Sequence, residues 1–246
     1  MTRPNPPKAC LFDMDGLLLN SETMYTISFS KILNKYGAPS LGWDVKVQLQ
    51  GLPGPEACEL VVNSYNISDK VTGEQFYKET SQVQEEIWPD VELLPGVEDL
   101  IRGLHKRGIP MVVCTSSHKD KFELKTKRHK ELFFLFDGVV TGDEPAIVGK
   151  GKPLPFIWWL GLQLVNEKRK LINTKEEIKP EDCLVFEDAI PGAISGKRAG
   201  AWVVWVPDEN AIKALPSAEI EKVLDNESKG VILKSLEDFK FEDYGL

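Results

Sequence analysis

No run in the sequence approaches the ~18 apolar residues that a membrane-spanning helix requires, and the opening stretch MTRPNPPKAC lacks the apolar segment of a secretory signal. A cytoplasmic protein away from membranes is therefore expected. Cysteine and histidine are scarce, at 4 and 3 of 246 residues. Cys10, Cys58, Cys114 and Cys183 match no metal-ligand spacing, and three of them fall in apolar runs. Buried reduced thiols are expected, not a disulfide framework or a zinc site. A positive surplus is missing too: 30 Lys and Arg face 38 Asp and Glu, a formal charge of -8. That balance argues against nucleic acid or an anionic membrane as the main partner. A small phosphorylated metabolite is compatible with it, since a local pocket can invert the field, and a monomer is expected.

What is present is ordinary globular material, 42% hydrophobic and 28% charged, enough for one full core and an appended unit. Apolar runs at 9–12, 110–114, 138–140, 183–186 and 202–206 read as buried parallel strands. Helical patterns separate the later ones, at 95–107, 119–130, 155–166 and 191–199. This alternation predicts an α/β fold, a Rossmann-like doubly wound parallel sheet. From about residue 209 a helix and then a short strand or turn are expected. About seventy residues separate the first strand from the next helix, too many for one crossover. Stretches such as SETMYTISFSKILNKYG and GEQFYKETSQVQEEIW place apolar side chains three and four apart. The expected division is a core of residues 1–20 and 93–246 with a helical cap of residues 21–92. Hinges are expected near 18–20 and 91–95.

The strand ends carry the chemistry. The first ends in DMDG, where Asp13 and Asp15, two apart in an extended chain, point the same way and Gly16 lets the chain turn. One ionised carboxylate can attack phosphorus while a second, with a raised pKa, holds a proton for the departing alcohol. The second strand ends in Thr115, Ser116 and Ser117, whose hydroxyls and turn amides suit a phosphate. After the third comes GKGKPLP, in which Lys152 can pair with a phosphate and with Asp13, Lys150 being a competitor. The fourth ends in Glu187 and Asp188. Each element alone also fits a turn, a helix cap or a solvated loop. All four fall at carboxyl ends of successive strands, where open α/β sheets bind ligands. Several carboxylates at one edge call for a cation, and Mg2+ takes carboxylates, water and phosphate together.

These residues resemble the haloacid dehalogenase superfamily, in its subgroup with a helical cap after the first motif, over most of the chain. The resemblance implies that Asp13 is the nucleophile forming an aspartyl phosphate and that Asp15 protonates the leaving group, then activates water. It implies that Thr115 and the Ser116 backbone hold the phosphate and that Lys152 pairs with it. Mg2+ would be held by Asp13, the Asp15 backbone carbonyl and Asp188, with Glu187 supporting that shell. FELKTKRHKELF and CLVFEDA resemble the pseudouridine 5'-phosphatases within the superfamily. The sequence departs from the family pattern at Asn20 and Phe156, where relatives often carry aspartate. The expected activity is Mg2+-dependent hydrolysis of a small phosphate monoester, a sugar phosphate or nucleoside monophosphate, including pseudouridine 5'-phosphate. Alternatives are a phosphosugar mutase, disfavoured by Tyr25 where mutases carry histidine, a signalling receiver, and an inactive interaction protein.

Other features read as structural. The basic run HKDKFELKTKRHK fits a solvated helix face. His105 and His129 read as helix-surface residues, and His118 as capping or surface. Consecutive Trp158 and Trp159 diverge by about 100 degrees on a helix, so one is expected against the sheet.

Overall fold

The computed structural model describes residues 6–49, 52–172, 176–224 and 230–246. Six parallel strands form one sheet: β1 (Ala9–Phe12), β2 (Met111–Cys114), β3 (Gly138–Val140), β4 (Cys183–Glu187), β5 (Trp202–Trp205) and β6 (Gly230–Ile232). Their order is β3-β2-β1-β4-β5-β6. The five expected strands match within a residue or so, and β6 adds an edge. β1, β2 and β4 are buried throughout, because successive side chains feed opposite faces. Cys10, Phe12, Val113, Leu184 and Phe186 enter one core, and Ala9, Leu11, Val112, Cys114 and Val185 the other.

The inserted segment holds α1 (Ser21–Lys35), α2 (Trp43–Leu49), α3 (Gly54–Ser64) and α4 (Gly73–Ile87), followed by a short 3-10 turn at Trp88–Asp90. These helices have a hydrophobic cluster of their own, which includes Phe29, Leu33, Val61 and Phe76. The chain leaves and re-enters the sheet layer side by side: Asn20 N–H donates to the Glu92 carbonyl at 2.9 Å and Leu94 N–H to that of Leu18 at 3.1 Å.

α5 (Val97–Lys106) lays Val97, Leu100, Ile101 and Leu104 on the first core. The expected helix at 119–130 is divided into α6 (Lys119–Lys125), a 3-10 turn at Lys127–His129 and α7 (Lys130–Phe133). α8 (Phe156–Leu171) outruns its expected end, and it covers the second core with α9 (Ile190–Ala199). α10 (Glu209–Ala214) and α11 (Ser217–Leu224) precede β6. Trp158 is buried in the second core while Trp159 is 43% exposed. All four cysteines are free and buried. No helix among the described residues is long and apolar enough to cross a membrane.

Candidate active site

β1 and β4 pair with Phe12 beside Phe186, and these rings stack at a centroid distance of 4.5 Å. The next residues are Asp13 and Glu187, so the register brings two carboxylates to one level at the carboxyl edge. Asp13 N–H donates to the Phe186 carbonyl at 3.0 Å, extending the ladder by one bond. On the other side Val113 pairs with Phe12, so the turn bearing Thr115 starts at the same edge.

Lys152, from the loop before α8, reaches this edge. Its Nζ donates to Asp13 Oδ1 at 2.5 Å and to Glu187 Oε2 at 2.7 Å. The Trp158 ring lies 4.6 Å from the same ammonium, which is how the inward tryptophan contributes. Lys150, the competitor, is exposed and reaches the Ala146 carbonyl instead, at 3.4 Å. Glu187 accepts at its other oxygen from Ala189 N–H at 3.1 Å, so both of its oxygens are engaged. Asp188 completes the group: one carboxylate oxygen each of Asp13, Glu187 and Asp188 lies within 4.8 Å of the others, all buried. Trp205 Nε1 donates to the Asp188 carbonyl at 2.8 Å and fixes that peptide.

Three carboxylates against one ammonium leave a surplus of negative charge out of water. Burial pushes the Asp13 carboxyl up to about 8; Lys152 opposes this, and Glu187 and Asp15 add to it. Burial, then Glu187 and Asp13, also push Asp188 well above the carboxylate range. Burial disfavours charge on Lys152, yet Asp13 and Glu187 outweigh it and raise the ammonium's pKa. An all-oxygen donor set with uncompensated charge fits a hard dication, as the sequence led us to expect.

Gly16 is required twice. Its φ of +80° is left-handed, and a Cβ there would run into the Asp188 carboxylate. Gly16→Ala is expected to cost at least ~1 kcal/mol from the backbone alone, about 2–4 °C in Tm for a chain of this length. It should also displace Asp188. Thermal melts with and without Mg2+ check both effects, and an unchanged Mg2+ increment would contradict the second.

Asp15 departs from the expectation of a raised pKa. Its Oδ1 accepts from Lys125 Nζ at 2.5 Å and its Oδ2 from Ser117 Oγ at 2.7 Å. Burial alone would raise its carboxyl, but Lys125, with Ser117, holds it below the usual range. Of the two aspartates of DMDG, the one with the raised pKa is Asp13.

The structure therefore gathers Asp13, Lys152, Glu187 and Asp188 into one cluster and gives Asp15 separate partners. Thr115 is buried; its Oγ1 accepts from Ser117 N–H at 3.0 Å and its N–H donates to the Val140 carbonyl at 3.0 Å. Ser116 is exposed, and the hydroxyl that reaches Asp15 is that of Ser117. His118 is exposed at the start of α6 and makes no capping bond with its side chain. His129 is no plain surface residue: its Nε2 lies 2.7 Å from the Val91 carbonyl, beside the chain's re-entry. Asn20 and Phe156 take local roles, Asn20 Oδ1 accepting from Thr23 Oγ1 at 2.7 Å and Phe156 packing its ring edge-on to Trp159.

The sequence reading missed Lys125. Its basic run reads as a solvated face, yet Lys125 is fully buried. A signal existed, because Lys125 lies three residues after Phe122 and so on the same helix face, and Phe122 packs on the first core.

The sequence matches the haloacid dehalogenase-like hydrolase family over residues 7–200. It is 45% identical over 247 residues, with all of both chains covered, to a Saccharomyces cerevisiae protein named probable pseudouridine-5'-phosphatase. It is 37% identical to the mitochondrial (DL)-glycerol-3-phosphatase 1 of Arabidopsis thaliana, over 96% of this chain and 72% of that one. Among solved structures, CbbY from Rhodobacter sphaeroides in complex with phosphate superposes with a TM-score of 0.68 at 19% identity, covering 94% of this chain and 96% of that one, a likeness of fold.

Proposed function

The chain belongs to the haloacid dehalogenase-like hydrolases and is a phosphoric monoester hydrolase, and we propose that it cleaves pseudouridine 5'-phosphate or a similar small phosphate monoester through an aspartyl phosphate on Asp13. The observation that carries this reading is the Lys152 bridge between Asp13 and Glu187 at the sheet edge. It pins the attacking carboxylate beside a fixed positive charge suited to a phosphoryl group. The 45% identical relative named as a probable pseudouridine-5'-phosphatase supports the substrate.

Asp13 attacks phosphorus, the ester P–O bond breaks, and the leaving oxygen takes a proton from Asp15. Water then attacks the phosphorus of the aspartyl phosphate, Asp15 takes a proton from that water, and Asp13 is freed. Each turnover thus removes one proton from Asp15 and returns one. Lys125 favours the ionised form, which suits the second step. Thr115 and the Ser116 backbone hold the phosphoryl oxygens with Lys152. Asp13 and Asp188 would hold Mg2+, together with the Asp15 backbone carbonyl, while Glu187 anchors Lys152 behind them. When bound, Mg2+ supplies charge neutralisation for the transferring phosphoryl group. Residues 21–92 act as a cap that closes over the substrate and excludes water.

The test is phosphate release from a panel holding pseudouridine 5'-phosphate, glycerol 3-phosphate and ribose 5-phosphate, with Mg2+ and then with EDTA. EDTA is expected to remove at least ~95% of the release, and Mg2+ is expected to raise the Tm of the parent protein by binding only the folded state. Asp188→Asn should lose most of that Tm increment. Release that is indifferent to EDTA would remove the metal from this reading.

A further inference from the structure

Lys125 is an ammonium with its whole side chain out of water, at the last residue of α6. Its Nζ donates to Asp15 Oδ1 at 2.5 Å, to Ser117 Oγ at 3.1 Å and to Tyr25 Oη at 3.2 Å. Ser117 Oγ in turn donates to Asp15 Oδ2. Ser117, two residues before α6, and Lys125, its last residue, therefore grip the two oxygens of one carboxylate. The walls of this pocket are the rings of Tyr25 and Trp88, whose centroids lie 5.1 and 4.6 Å from the ammonium. Those rings belong to α1 and the 3-10 turn of the inserted helical segment, whereas Asp15 and Ser117 lie in the turns after β1 and β2 and Lys125 ends α6.

Stability alone is a poor reason for such a site. A buried ion pair loses solvation on both partners, and packed apolar side chains of similar volume often do as well or better. What a buried, multiply bonded pair supplies is a fixed direction, since each bond removes one rotation from the carboxylate.

We propose that Lys125 is a positioning residue of the phosphatase reaction, which with Ser117 aims the Asp15 carboxylate at the leaving oxygen and then at the attacking water. Tyr25 and Trp88 complete its pocket from the helical segment, so seating of that segment and aiming of Asp15 are one event. The inference rests on the proposed role of Asp15. In the step concerned the P–O bond to Asp13 forms, the ester P–O bond breaks, and the proton on Asp15 passes to the leaving oxygen.

The experiment compares two leaving groups in the 246-residue chain with Mg2+. p-Nitrophenolate departs without a proton, whereas a sugar or glycerol alkoxide needs one. The alkyl ester is whichever of pseudouridine 5'-phosphate, glycerol 3-phosphate and ribose 5-phosphate the parent turns over fastest, and single-turnover release of the alcohol isolates the first step. Lys125→Met is expected to slow alkyl-ester cleavage about 100-fold, with KM within about twofold, and to slow p-nitrophenol release only a few-fold. Lys125→Arg should recover part of the loss. Tyr25→Phe, which keeps the ring and removes the hydroxyl, should show a smaller loss in the same order and stands in if Lys125→Met does not fold. Equal losses on both esters, or none, would overturn the positioning role. Asp15→Asn separates the two readings: if it too shows no leaving-group preference, the role given to Asp15 falls. If it shows one and the Lys125 variants do not, only the inference on Lys125 falls.

Discussion

Asp13→Asn is expected to abolish phosphate release, with a loss on the order of 10^4-fold or more, because an amide nitrogen or oxygen cannot replace the attacking carboxylate. The same change should leave the fold intact and the metal-free protein no less stable. Asp13 sits among buried groups that push its carboxyl up to about 8. Replacing it by a neutral isostere removes one of three crowded carboxylates, and Glu187 still partners Lys152 at 2.7 Å. The reference is the parent chain in EDTA and in Mg2+, compared by thermal melts and by phosphate release. Turnover that persists in Asp13→Asn would exclude Asp13 as nucleophile. A large drop in metal-free Tm would show that its contribution is structural.

Lys152→Met should act in the opposite sense on stability. Asp13, Glu187 and Asp188 then share a buried edge without their ammonium, and removing one partner of a buried ion pair costs about 3 kcal/mol or more. For a chain of this size that is roughly 6–12 °C in Tm. Activity should fall as well, since Lys152 fixes Asp13 and balances the phosphoryl charge. The pH dependence gives a second readout. Asp13 releases its proton near 8 when folded, against 3.8 in its ordinary state. The folded form therefore binds more protons between these values, so the contribution of Asp13 to metal-free stability falls as pH rises from about 4 to about 8, and Asp188, raised likewise, adds to that fall. Lys152→Met should steepen that fall and Asp13→Asn should flatten it. Melts of the three proteins in EDTA at pH 5.5, 6.5 and 7.5 decide this, and identical slopes would refute it.

The strands were legible because they are central and parallel. Buried on both faces, the inner strands read as unbroken apolar runs such as Ala9–Phe12 and Met111–Cys114. Their polar last residues were legible for the same reason, since Asp13, Thr115, Glu187 and Asp188 each interrupt or follow such a run. β6, three residues at one edge of the sheet, was expected only as a short strand or turn. The helix expected over 119–130 breaks at Thr126, whose hydroxyl turns back to the Phe122 carbonyl at 2.8 Å, a local bond that competes with continuing the helix.

The sequence by itself determined the order of the elements, the inserted helical segment and the residue types that arrive at the carboxyl edge of the sheet. Periodicity and turn chemistry are local, so a chain carries them in plain sight. Tertiary structure decided which lysine of GKGKP reaches Asp13, which of two neighbouring acids is raised and which lowered, and that one lysine of a basic helix lies buried against Asp15. These outcomes depend on distance and burial between residues as far apart as Asp15 and Lys125, 110 positions along the chain. Coulomb energy and desolvation act through space, and no spacing along the sequence encodes them.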